Sequence, residues 1–267
     1  MTTKNNLERQ IPQPEFDAEK EEKFKPQIIF DFIRHGQAEY GQKVKEKVKN
    51  LGYNFEDFMP TSKIAEEELD DKRKIWEGQI TTKGNEQLKT AITDFVKKLN
   101  KDKETLMILF GPRFRQEQSS KIIFDELEKQ GVNVLKARQH KNLIDLKKHW
   151  ISVLEFVSQK TKDKPVEYWL SMNSKELEEA DLEGLQEVGG RMEHFIELIK
   201  RYARRYQKEL RLDEKILRVM SVTSDINILS LLEKQKESLK SVDINAIKNA
   251  QIVEMGVDKD GDTKFID

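Results

Sequence analysis

A short stretch near the start of the chain, Arg34-His35-Gly36-Gln37, combines a cation, an imidazole and a flexible backbone at one point. It ends the apolar run Ile28-Ile29-Phe30 and Phe32-Ile33, broken only by Asp31. A neutral imidazole can attack phosphorus, and a guanidinium beside it can hold two phosphate oxygens as a fork. A strand that ends in these residues delivers them to the carboxyl edge of a sheet, where open α/β sheets place their ligands.

Two later stretches have the same character. Gly111-Pro112-Arg113-Phe114-Arg115 follows the apolar run Thr105–Phe110 and opens a helix that continues through Ser119-Ser120. A loop between strand and helix is an anion-binding geometry. Thr223-Ser224-Asp225-Ile226-Asn227 follows the apolar run Lys215–Val222. Asp225, at a strand end, is a candidate proton donor to a leaving oxygen, which requires only reach and a suitably raised pKa. Leu143-Ile144-Asp145 offers a second carboxylate.

The elements that must position these residues are legible as alternating patterns. Strands are expected at Gln27–Ile33, Thr105–Phe110, Val132–Ala137 and Lys215–Val222. Between them, Leu88, Ala91, Ile92, Phe95, Val96 and Leu99 repeat at helical spacing, with Thr81 or Thr82 as the cap. Met192, Phe195, Ile196, Ile199, Tyr202, Ala203 and Tyr206 form a second such series. Alternating strands and helices imply βαβ units and a parallel sheet. Ala250–Ile266 reads as two short strands around Asp258-Lys259-Asp260-Gly261-Asp262, a hairpin turn without the spacing or terminal Glu of an EF-hand loop. The expected organisation is a polar tail over 1–26 and a single domain over 27–267. Long inserts are expected at about 38–79 and 139–183, the latter carrying Trp150 and Trp169. Alternate lysines at 43, 45, 47 and 49 read as a solvated helix face. His140, His149 and His194 are not expected to follow a strand, and His194 is placed on the polar side of its helix.

Composition narrows the chemistry. Lys and Arg number 48 against 49 Asp and Glu, which gives no general reason to expect nucleic acid or an anionic membrane as partner. The absence of cysteine excludes disulfides, thiolate catalysis and cysteine-based metal sites. No apolar run approaches the ~20 residues of a membrane span, and Met1–Asn6 is not a secretory signal; a cytoplasmic location is expected.

Taken in order, the motifs resemble the histidine phosphatase superfamily, the phosphoglycerate mutase-like proteins. Phe32–Gln37 is similar to the family's strand-end signature, Ile80–Gln87 to the opening of its first helix, and Gly111–Ser120 to the segment whose arginine, here Arg115, holds the phosphoryl group. Gly189-Gly190-Arg191-Met192, opening the long helix, and Lys248–Ile252 resemble late landmarks. The chain departs from the pattern where a second histidine is replaced by Ser224; Asp225 and Asn227 there fit the acid-phosphatase branch.

The resemblance implies a three-layer α/β/α sandwich with a mostly parallel central sheet. It implies phosphoryl transfer from a monoester to His35 and then to water, with neither metal nor other cofactor. Arg34 and Arg115 would hold the phosphate with Gln37 and Ser224, and Asp225 or Asp145 would protonate the alcohol. Loss of one donor to the phosphoryl group is worth about 10²–10³ in rate, so the enzyme would be weak or specialised. The alternative is an inactive pseudo-phosphatase that binds a phosphorylated ligand or protein partner. Substrate identity and oligomeric state are not legible.

Overall fold

In the computed structural model the described residues are 26–39, 46, 49, 50, 52, 78–144, 146, 147, 150–161, 165–209, 215–235 and 247–266. The expected tail up to residue 25, most of the 38–79 insert, Asp145 and His149 lie outside them.

Six strands form one sheet: β1 (Ile28–Arg34), β2 (Glu104–Phe110), β3 (Val134–Gln139), β4 (Ile216–Thr223), β5 (Ile252–Val257) and β6 (Thr263–Ile266), in the order β3-β2-β4-β1-β5-β6. The four strands from β3 to β1 are parallel, and β5 and β6 add antiparallel pairings at one side. β1 and β4 are buried along almost their whole length, which is why they read as apolar runs.

Helices cover both faces. On one, Leu88, Ile92 and Phe95 of α1 (Thr82–Lys98) and Ile123 and Leu127 of α2 (Phe114–Lys129) pack on Ile33, Ile108, Met220 and Val222. On the other, Met192, Phe195, Ile196 and Ile199 of the long helix, together with Ile228, Leu229 and Leu231 of the helix after β4, meet Phe30, Phe32 and Val219. The sequence between β3 and the long helix folds into α3 (Trp150–Lys160), α4 (Pro165–Ser171) and α5 (Ser174–Glu179). Leu146, Val153, Val157, Trp169 and Leu182 form a third apolar cluster, joined by Val188 and Ile226 from the helices beside the sheet. The long helix is α6 (Leu185–Glu209), and α7 (Asp225–Gln235) follows β4.

Two boundaries differ from expectation. β3 begins and ends two residues later than its apolar run, because it is an edge strand whose last residues, Ala137, Arg138 and Gln139, are exposed. His140 therefore does follow a strand directly. α6 starts at Leu185, so Gly189 and Gly190 lie within its second turn instead of opening it; buried Val188 and Met192 on either side carry that turn into the core. Among the described residues no helix is long and apolar enough to cross a membrane.

On the α1 and α2 face, a buried ion cluster ties strands together below the carboxyl edge. Arg218 of β4 donates from Nε to Asp31 Oδ2 (3.1 Å), from Nη2 to Asp31 Oδ1 (3.2 Å) and Glu254 Oε2 (2.5 Å), and from Nη1 to Glu104 Oε2 (2.9 Å). Its guanidinium also lies 5.1 Å from the centre of the Phe95 ring. Complete burial pushes the Asp31 carboxyl up to about 7; Arg218 opposes this, and the Glu254 and Glu104 carboxylates add to it.

Candidate active site

His35 leaves the end of β1 and is only 2 % exposed. Its N–H donates to Thr223 O (3.0 Å), joining the ends of β1 and β4, and Arg34 is clasped on the other side through Arg34 N–H to Gln251 O (3.1 Å) and Ala250 N–H to Arg34 O (3.0 Å). Two ring contacts fix the His35 tautomer. Nδ1 lies 2.8 Å from Gly36 O, an acceptor only, so Nδ1 carries the proton. Arg115 Nε, a donor only, lies 3.1 Å from Nε2, so Nε2 presents its lone pair. These two contacts fit a neutral ring whose Nε2 faces a guanidinium.

The loop after His35 is held by the start of α1. Thr81 caps that helix by accepting from Gly84 N–H (3.1 Å), and its own N–H and hydroxyl both donate to Gln37 O (2.9 and 3.1 Å). Gln87 Oε1 accepts from Gln37 N–H (3.3 Å). The approach is close enough to require glycine on both sides: a Cβ on Gly36 would stand 2.6 Å from Gly84 O, and one on Gly84 would stand 2.2 Å from Gln37 O. The Ile80–Gln87 motif, which sequence reasoning took as a helix start alone, thus latches the histidine loop. From α2, Ser119 Oγ accepts from Gly36 N–H (3.3 Å) and donates to Arg115 O (2.7 Å).

Of the residues expected at the site, Arg115 is 5 % exposed and meets His35 directly. Arg113 turns away and donates to Leu146 O (2.7 Å). The Arg34 guanidinium pairs with Asp225 (2.8 Å) and also donates to Ile247 O, which places Asp225 at the same corner. Gln37 sits in the latch. Ser224, directly after the Thr223 that binds His35, is buried; its Oγ accepts from Asn227 N–H (3.4 Å) and caps α7.

Asn227, buried completely, and Thr223 both reach across to the turn after β3. Asn227 Nδ2 lies within reach of Leu143 O (3.1 Å), Ile144 O (3.0 Å) and Thr223 Oγ1 (2.6 Å), and the Thr223 hydroxyl donates to Leu143 O (3.2 Å). Gln116 Nε2 donates to the same carbonyl (3.1 Å). These partners come from residues far apart in sequence; the hint was a run of polar residues at a strand end and at a helix start, where a core would hold apolar ones.

Among the described residues, neither His140 nor His194 joins the His35 corner. His140 stands three strands from β1, roughly 14 Å at about 4.8 Å per strand. It accepts from Asn142 N–H (3.3 Å) and packs on Phe195; burial, with Lys141 and His194 nearby, lowers its pKa. His194 is exposed, as its polar helix face implies.

No family model and no curated protein matches the sequence. Solved structures do match the fold. A mycobacterial glucosyl-3-phosphoglycerate phosphatase in complex with VO3 is 14 % identical with a TM-score of 0.52, the match covering 90 % of this chain and 97 % of that one. The same phosphatase with inorganic phosphate is 12 % identical with a TM-score of 0.53, covering 90 % and 96 %. A second mycobacterial hydrolase is 14 % identical with a TM-score of 0.53, covering 89 % and 88 %. The chain therefore has the phosphoglycerate mutase-like α/β fold, similar in architecture to solved phosphatases.

Proposed function

We propose that the protein hydrolyses a small phosphomonoester through a phosphohistidine on His35, with no metal in the reaction. The observation that carries this reading is the tautomer of His35, whose Nε2 lone pair faces Arg115 in a buried corner. On binding, the Arg115 guanidinium turns its donors from Nε2 to the phosphate oxygens, and Arg34 and Gln37 supply further donors from the same loop. Nε2 attacks phosphorus, the ester P–O bond breaks, and the alcohol takes a proton from a carboxylic acid. Water then attacks phosphorus as the N–P bond breaks, giving up one proton to the same carboxylate and returning phosphate and free His35.

Two aspartates compete for the acid role. Asp225 is close by and paired with Arg34 at 2.8 Å. Asp145 follows Leu143 and Ile144 in the sequence, whose carbonyls accept from Gln116, Thr223 and Asn227, and is itself outside the described residues. The likeness to phosphatases supports the class of reaction, and a cytoplasmic location fits it.

A second reading, a binding module without turnover, is favoured by Ser224. Its place is explained by helix capping alone, and it supplies a neutral group where the family has an imidazole. Hydrolysis of a generic phosphomonoester separates the two. The enzyme reading expects activity that His35→Ala abolishes and that Arg115→Ala impairs chiefly through phosphate affinity. Undiminished hydrolysis in His35→Ala would overturn it.

A further inference from the structure

The Arg34 guanidinium uses two of its three nitrogens. Nη1 donates to Ile247 O, and Nη2 pairs with Asp225 Oδ2 at 2.8 Å. Nε is buried and, among the described residues, has no partner. Nε and Nη2 lie along one edge of a guanidinium and form the fork that takes two oxygens of a carboxylate or a phosphate. Arg218, in the same sheet, shows that fork filled: its Nε and Nη2 hold the two oxygens of Asp31. On Arg34 it is half filled. Asp225 gives it a single oxygen, because Oδ1 accepts from Ile226 N–H (3.0 Å) in the first turn of α7.

Neither partner needs the other to keep its place. Arg34 is fixed by its main-chain bonds to Ala250 and Gln251 and by Ile247 O, and Asp225 by the start of α7, where a carboxylate is favoured. The pair is reachable from solvent, with 19 % of the Arg34 side chain and 18 % of the Asp225 side chain exposed. A partly exposed ion pair adds little to stability, and a donor left buried beside it is a cost, so the arrangement is poor as a staple and suited to exchange. We propose that Asp225 is a built-in competitor for the phosphate. Its carboxylate holds Arg34 in the ligand-free protein, a phosphate takes over Nη2 and engages Nε as well, and the carboxylate retakes the arginine as inorganic phosphate leaves. The inference rests on the reading of this corner as a phosphate site. It makes Asp225 a determinant of phosphate affinity and product release, whichever group donates the proton.

Calorimetric titration of the full chain with inorganic phosphate, at constant pH and ionic strength, tests this without turnover. Asp225→Asn keeps the shape and an acceptor for Ile226 N–H but removes the charge. It should bind phosphate roughly 10- to 100-fold more tightly than wild type, the size of one charge-assisted contact regained. Made in an Arg34→Gln background, the same substitution should gain less than about threefold, because the competition is for that side chain. Equal or weaker binding by Asp225→Asn would overturn the proposal and leave the phosphate site standing. So would an equal gain with and without Arg34, which would make Asp225 a distant charge and not an occupant of the fork. The Arg34 Nε–H signal of ¹⁵N-labelled wild type gives a readout that needs no variant: phosphate should shift it, and a signal unmoved at saturation would overturn the proposal. Phosphate bound by neither wild type nor Asp225→Asn would remove the reading of the corner as a phosphate site, and the competitor with it.

Discussion

Asp31→Asn tests the electrostatics of the sheet that carries the site. Asp31 is completely buried, and although Arg218 meets both of its oxygens, that guanidinium is shared with Glu104 and Glu254. Attraction divided among three carboxylates does not offset the burial of one, so the Asp31 carboxyl is raised from 3.8 to about 7. The folded state then binds a proton that the unfolded state has lost. Stability contributed by this group is fully present below about pH 4 and declines as pH rises to about 7, above which it stays at its lower level. At about 1.4 kcal/mol per pH unit the difference amounts to about 4 kcal/mol. Asparagine mimics the protonated form and does not titrate. Urea unfolding of both proteins at pH 5, 6, 7 and 8 cancels, in the difference, the titrating groups that do not interact with Asp31. Asp31→Asn should gain on the wild type from pH 5 to about pH 7, level off there, and be the more stable protein at pH 8, by up to about 4 kcal/mol. A variant that is less stable than wild type by a constant amount, or increasingly so toward pH 8, would show that the Arg218 pair dominates and refute the reasoning.

Further outcomes concern the corner itself. Gly84→Ala brings a Cβ to 2.2 Å from Gln37 O, so the latch must open; a loss of about 1–3 kcal/mol by thermal unfolding is expected, with reduced turnover. Arg115→Ala removes a charge-assisted donor worth about 1.5–3 kcal/mol, so the inhibition constant for inorganic phosphate should rise roughly 10- to 100-fold in a competition assay. On the phosphatase reading, Ser224→His adds an imidazole donor at the oxygens and is expected to raise turnover about 10²-fold, at the expense of about 1 kcal/mol from the lost α7 cap; unchanged turnover with an intact circular dichroism spectrum would favour the binding module.

What the sequence disclosed followed from local chemistry. β1, β2 and β4 lie in mid-sheet and so are mostly apolar runs, and their ends displayed His35, Arg115 and Ser224 in order. The edge strand β3 was misplaced because half of it is solvated, and His140 was misjudged with it. Asp31 read as a mere interruption of β1, since its partner Arg218 lies 187 residues away and no periodicity connects them. The same distance problem hid Asn227 and Thr223, whose bonds to Leu143 span 84 and 80 residues, and the bond from Arg191 to Ile144 O, which spans 47. Thr81, Gly84 and Gln87 were visible as a motif, but their contact with the His35 loop required the packing of α1.

The central claim is that His35 becomes covalently phosphorylated. Incubation of the full chain with a ³²P-labelled phosphomonoester, rapid quenching at alkaline pH to preserve the acid-labile phosphoramidate, and mapping of the label by peptide mass spectrometry test it most directly. The account expects label on the peptide that contains His35, turning over with product release and absent from His35→Ala. Steady hydrolysis with no label on His35, or label that survives in His35→Ala, would contradict it.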